Sequence, residues 1–200
     1  MLKMEKEYKE LYGDIPENKT ERIEYLITGL NLDKYKEKIK NTIDRIRNIK
    51  WNTLKYTIYL LPKATPRPRS GRNGIFYVKG ASDNKKFFKE FIRNEDIHLI
   101  TTPTKFQCVS YLPIPKSMNP VEKVCAELGL IYPVSRPDWD NLGKTYSDMI
   151  QDLLICDDAF IVDGISKKRY SIKPRIEITI SYMEEYDSEF NKKKILKKGL

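Results

Sequence analysis

From Arg175 to Tyr182 the chain alternates without a slip. Ile176, Ile178, Ile180 and Tyr182 fall on one side, and Arg175, Glu177, Thr179 and Ser181 on the other. A β-strand turns successive side chains to opposite faces, so this segment predicts a strand with one apolar and one solvated face. Its apolar face needs a cover. Aromatic and β-branched runs at 54–61, 75–78, 106–112 and 160–166 supply further strands. Helical spacing appears at 142–154 and at 121–128, the latter entered at Pro120 and stopped at Gly129. Ser82 or Asp83 is placed to cap another helix running to about residue 93. The expected fold class is α+β, a mixed β-sheet with helices packed on one side.

Composition changes near residue 50. Before it, Lys, Glu, Ile and Leu dominate, with a single proline, Pro16. Ile23, Leu26, Ile27 and Leu30 recur at helical spacing. Gly29 and Asn31 mark a break, and Asp33 is a cap for a second helix. There Leu32, Tyr35, Ile39, Ile43 and Ile46 form one apolar stripe. The expected organisation is a helical N-terminal extension over 1–50, a folded domain over 51–185 and a basic tail over 186–200.

The chain of 200 residues carries 37 Lys and Arg against 28 Asp and Glu, a formal net charge of +9. That excess points to a polyanionic partner, nucleic acid first. No stretch approaches 18 consecutive apolar residues, which excludes a helical membrane span. The N-terminus lacks the apolar run of a secretory signal. Three cysteines in no CxxC spacing argue against a disulfide framework or a cysteine zinc site and fit a reducing, cytoplasmic setting. The one histidine, His98, excludes HExxH chemistry.

Chemistry concentrates in Arg136-Pro-Asp-Trp-Asp-Asn-Leu-Gly-Lys-Thr-Tyr-Ser-Asp148, followed by Asp157-Asp158. Asp138 and Asp140 share one side of an extended entry to a helix that Asp140 or Asn141 caps. Their mutual repulsion is relieved by a hard divalent cation, and oxygen-only ligands select Mg²⁺ or Mn²⁺ over zinc. Along the helix, Asp140, Lys144, Asp148 and Asp152 form a charged stripe at spacing four. Lys144 is placed to hold a phosphate beside the metal, with Asp148 orienting it. Residue types leave a plainer reading open: an N-cap, a solvated helix face and a turn at Asp157-Asp158. Trp139, between the two acids, is placed either to stack on a base or to pack under the loop.

A basic loop follows the first strand. Lys63, Arg67, Arg69 and Arg72 carry four positive charges and no acid, with Lys79 just beyond. Its prolines and Gly71 predict an irregular segment able to grip successive phosphates.

These residues together resemble the RusA family of Holliday junction resolvases. The match runs through Pro137-Asp138-x-Asp140-Asn141-Leu142-x-Lys144, Asp148 and Asp157-Asp158-x-x-Ile161-Val162-Asp163. It continues into Lys168-Arg169-Tyr170 and Pro174-Arg175-Ile176-Glu177-Ile178, with Pro62-Lys63 and Pro66-Arg67-Pro68-Arg69 upstream. It covers roughly residues 54–183. Trp139 and Gly143 depart from the family's usual residues. The resemblance implies a homodimeric, Mg²⁺- or Mn²⁺-dependent endonuclease that cuts opposed strands of a four-way DNA junction. It implies Asp138, Asp140 and Asp158 as catalytic metal ligands, Lys144 as the catalytic lysine, and Asp157 as a further ligand. Asn141 and Asp148 would support them. The alternatives are a nuclease acting on branched DNA more widely, or a non-catalytic module that binds branched nucleic acid.

Overall fold

The computed structural model describes residues 16–65, 69–71, 74–76, 90 and 99–186. The chain divides into two compact units, Met1–Ile49 and Lys50–Leu200. In the first, α1 (Lys19–Gly29) starts at Asn18, whose side chain accepts from the amides of Thr20 at 2.8 Å and Glu21 at 3.3 Å. A single 3₁₀ turn, Asp33–Tyr35, leads into α2 (Lys36–Arg47). Asp33 thus begins a turn rather than capping the longer helix. Glu24 of α1 meets Lys36 at 2.8 Å and Lys40 at 3.5 Å. The Lys36 hydrogen bond holds the Glu24 carboxyl below its ordinary range.

The second unit is built on a four-stranded sheet in the order β1-β6-β4-β5, with β1 Trp51–Ile58, β4 Thr104–Pro113, β5 Ile161–Ser171 and β6 Arg175–Met183. β6 runs antiparallel to β1 and β4, and β5 runs parallel to β4. The sheet is mixed and the class α+β, as the sequence predicts. Cross-strand rows carry the alternation through the sheet. Leu54, Ile180, Phe106 and Gly164 lie side by side, as do Tyr56, Ile178, Cys108 and Ser166. These rows face the helices α3 (Pro120–Glu127) and α4 (Trp139–Ile150). Leu142, Tyr146, Met149 and Ile150 of α4 are buried against them, and Ala126 of α3 packs with Leu112 and Tyr170. Each large apolar side chain so buried contributes about 1.5–3 kcal/mol. The opposite face is polar. Arg175 stacks over Tyr111 at 3.6 Å and bonds Glu177 at 2.7 Å, and Thr53 meets Ser181 at 3.0 Å.

Several boundaries differ from the sequence reading. β1 begins at Trp51 because β6 continues to Met183 as its partner, and it stops at Ile58 because β6 begins at Arg175. β5 runs on to Ser171 because β4 pairs with it as far as Pro113, drawing Lys167, Lys168 and Arg169 into the ladder. α4 starts at Trp139 with Asp138 as its N-cap, so neither Asp140 nor Asn141 occupies that position. It ends at Ile150, and Asp152, at φ 62°, turns the chain so that Leu154 and Ile155 are buried without helix. Arg69–Gly71 is not irregular: it forms β2, paired antiparallel with β3 (Gly74–Phe76). That stretch lies past Pro68, so its amides are available to a ladder. α3 follows its sequence signals closely: Asn119 and Glu122 make a capping box, and Gly129 takes φ 73°. Tyr77 and Val78, the helix expected over 82–93 apart from Glu90, which is helical, His98 and the basic tail from 187 onward lie outside the described residues. Among the described residues no helix is long and apolar enough to cross a membrane.

Burial of Cys108 pushes its thiol up to about 12. At pH 8 only about one molecule in ten thousand then carries the thiolate that reacts with disulfide reagents. Cys156 is also buried, whereas Cys125 is partly open. Titration of the native protein with Ellman's reagent is therefore expected to label Cys125 first and Cys108 only on adding denaturant; rapid native labelling of Cys108 contradicts the β4 register.

Candidate active site

The loop entering α4 ends at Asp138, in extended conformation at φ −68° and ψ 145°. The helix starts there because the Asp138 carbonyl accepts from the Leu142 amide at 3.1 Å. Its carboxylate makes no capping hydrogen bond. The plain N-cap reading therefore fails at the side chain, and Asp138 presents an exposed carboxylate beside the positive end of the helix. Asp140 stands in the first turn, exposed. Asp158 comes from another segment, the 3₁₀ turn Asp158–Phe160 that feeds β5. Asp140 and Asp158 line one open cleft of about 370 Å³ between α4 and β5.

Asp157 behaves differently. Its Oδ1 accepts from the Ala159 amide at 2.8 Å, so it caps the turn that presents Asp158. Lys144 lies one turn beyond Asp140, and its Nζ meets Asp148 Oδ1 at 3.1 Å. Both side chains are largely exposed, so the pair contributes little to stability and holds the ammonium in place.

Three sets of contacts build this arrangement. Lys168 of β5 donates through Nζ to the carbonyls of Ser135 at 2.9 Å and Pro137 at 3.0 Å, which fixes the loop just before Asp138. Trp139 Nε1 donates to the Ser166 carbonyl at 2.6 Å, and Ser166 Oγ donates back to the Trp139 carbonyl at 3.1 Å. Gly143 lets helix and strand approach. A Cβ there would meet Ser166 Cβ at 3.0 Å.

The third set moors the segment after β1 to α4. Asn141 Nδ2 donates to the Thr65 carbonyl at 3.1 Å, and the Thr65 amide donates to Thr145 Oγ1 at 2.8 Å. The Lys63 amide donates to the Tyr146 hydroxyl at 3.1 Å. Burial raises the Tyr146 hydroxyl above its ordinary pKa, so it stays protonated across the working pH range. The structure thus brings exposed Lys63 beside the acid-bearing helix. The backbone of Arg69 lies in β2, and Arg67, Arg72 and Lys79 lie outside the described residues. Sequence reasoning missed Ser166, Lys168, Thr145 and Tyr146 as builders of the site. Glycine and threonine inside a helix, at Gly143 and Thr145, were the available signal of close approach.

Among the described residues, no group of three or more His, Cys, Asp or Glu side chains is gathered closely enough to hold a metal ion by itself. The donors nevertheless fit a hard divalent cation. Mg²⁺ is commonly held by one or two carboxylates and completes its shell with water and substrate phosphate. Asp140 and Asp158 in one cleft meet that requirement, with Asp138 adjacent in the chain.

The family profile described as "Endodeoxyribonuclease RusA" matches residues 60–181. "Uncharacterized protein YqaN" of Bacillus subtilis (strain 168) is 34% identical over 135 residues, which span 64% of this chain and 94% of that protein.

Gly143→Ala tests the packing. Alanine favours an exposed helix interior by about 1 kcal/mol, but overpacking typically costs about 1–3 kcal/mol. The Ser166 contact makes the second effect win, so the melting temperature is expected to fall. In a background of Ser166→Gly, which itself loses the Trp139 carbonyl bond, the added Gly143→Ala is expected to lower the melting temperature less, and a single Gly143→Ala variant that melts higher than the parent refutes the close approach.

Proposed function

The chain belongs to the RusA family of endodeoxyribonucleases, and on that premise we propose a divalent-metal-dependent enzyme that resolves four-way DNA junctions as a homodimer. The observation that carries this reading is the shared cleft of Asp140 and Asp158, which come from separate segments. Asp138, Asp140 and Asp158 would hold Mg²⁺ or Mn²⁺. When bound, such a cation supplies Lewis-acid charge to a phosphodiester and lowers the pKa of attacking water.

The chain's own groups do the rest. Lys144, held by Asp148, sets a positive charge beside the acids, where the transition state gathers negative charge. Asp157 positions Asp158 by capping its turn. Asn141 holds the Thr65 carbonyl and with it the basic segment. Lys63, Arg67, Arg69, Arg72 and Lys79 would contact phosphates, giving binding that weakens steeply with salt. A junction offers two symmetry-related strands, and a twofold dimer would meet both at once. The competing reading, a binding module whose acids are only caps, is supported at Asp157 and weakened at Asp138.

A labelled immobile junction and a matched linear duplex, each with Mg²⁺, Mn²⁺ or EDTA, test the proposal. Paired nicks are expected on the junction alone and only with metal. Asp140→Asn and Asp158→Asn are each expected to lower cleavage by about 10²-fold or more. Binding should hold or tighten, because a carboxylate that repels phosphate is gone. Tight binding with no cutting under either metal sinks the enzymatic reading.

A further inference from the structure

The cleft that holds Asp140 and Asp158 is not lined as a phosphate site would be. Beside the acids its lining carries aromatic and aliphatic side chains, from Trp139, Phe106, Ile161 and Ile165, together with Ser147, Ser166 and two glycines. Trp139 is part of that lining. The residue is 57% exposed, yet its indole edge is fixed by the Nε1 bond to the Ser166 carbonyl at 2.6 Å. The backbone of the same residue is held by Ser166 Oγ at 3.1 Å. An indole tied at its edge and open over most of its surface is a rigid platform with little freedom to lose on binding. Packing beneath the loop, the other role open to this residue, would have buried it.

A planar π-system that stacks on such a platform is a nucleobase. The carboxylates explain the pairing of surfaces. Base and phosphate of one nucleotide are joined by a single sugar, so a cleft with acids and an indole side by side suits one nucleotide. A volume of about 370 Å³ suits a small ligand. Within a duplex the base is stacked on both sides and must be freed first, whereas a branch point offers bases already unstacked.

We propose that Trp139 stacks on an unpaired or unstacked base of the nucleotide at the cleavage site, and that it thereby favours branched over linear DNA. The proposal rests on the nuclease reading above and adds a specificity residue to it. The sequence supplies a clean probe: tryptophan occurs only at positions 51 and 139. In the full chain carrying Trp51→Phe, all indole fluorescence comes from Trp139.

Titrating that protein with four-way junction in EDTA, while anisotropy of a labelled junction reports binding independently, is expected to quench the emission in step with binding. Linear duplex should quench it far less at equal occupancy. Trp139→Leu should lower junction cleavage about tenfold and narrow the preference over duplex. Trp139→Phe, which keeps a ring but loses the Ser166 bond, should recover most of both. Saturating junction binding with unchanged emission overturns the stacking proposal and leaves the nuclease reading intact. Trp139→Phe as defective as Trp139→Leu also overturns it, because the Ser166 bond would then be what matters. Failure to bind or cut any DNA overturns both readings together.

Discussion

Two neighbouring strands that run parallel cannot be joined by a tight turn, and β4 and β5 are such a pair. The chain must leave one end of β4, cross a face of the sheet and return to the other end. That crossing contains α3, α4 and the Asp158 turn. The apolar side of α4 settles which face it crosses, since Leu142, Tyr146, Met149 and Ile150 need the rows around Ile178 and Cys108. Once α4 lies there, its first turn and the start of β5 flank one cleft. Two acids separated in sequence come to line one cleft because a parallel ladder demands the detour.

Much of this was legible. The alternation in β6 and the cap signals of α3 report local preferences that the tertiary structure leaves intact, whereas the helix within the acid motif starts at Asp138 rather than at Asp140 or Asn141. The misread strand and helix ends share one cause: a long-range partner overrode a local pattern. Lys167 to Arg169 fall past the expected end of the strand at 166 and join it because β4 lies alongside. Leu153 and Leu154 continue the helical period of α4, yet the chain buries them through a turn at Asp152. The clamps were illegible for another reason. Lys168 and Trp139 bond to main-chain carbonyls, and a carbonyl looks the same in every residue.

The acids differ in what they spend on structure. Asp157 gives one oxygen to a backbone amide and so stabilises the turn, whereas Asp138 occupies a cap position without capping. An exposed carboxylate at a helix start that declines the nearest donors forgoes about 0.5–2 kcal/mol of helix stability. Active sites characteristically retain such local concessions. On the proposed function, this division would separate a presenting residue from a presented one within a motif where all four aspartates look alike.

The segment after β1 is tied to α4 through the amide of Lys63 and the amide and carbonyl of Thr65, never through their side chains. Any residue other than proline keeps such bonds available. The side chains of Lys63 and Thr65 are therefore interchangeable without loss of these bonds, whereas Leu60 and Ala64 beside them pack against the core. Drift in the charges that meet the partner is uncoupled from drift in the scaffold, and related chains can revise what they grip while the helix beneath continues to hold the same backbone.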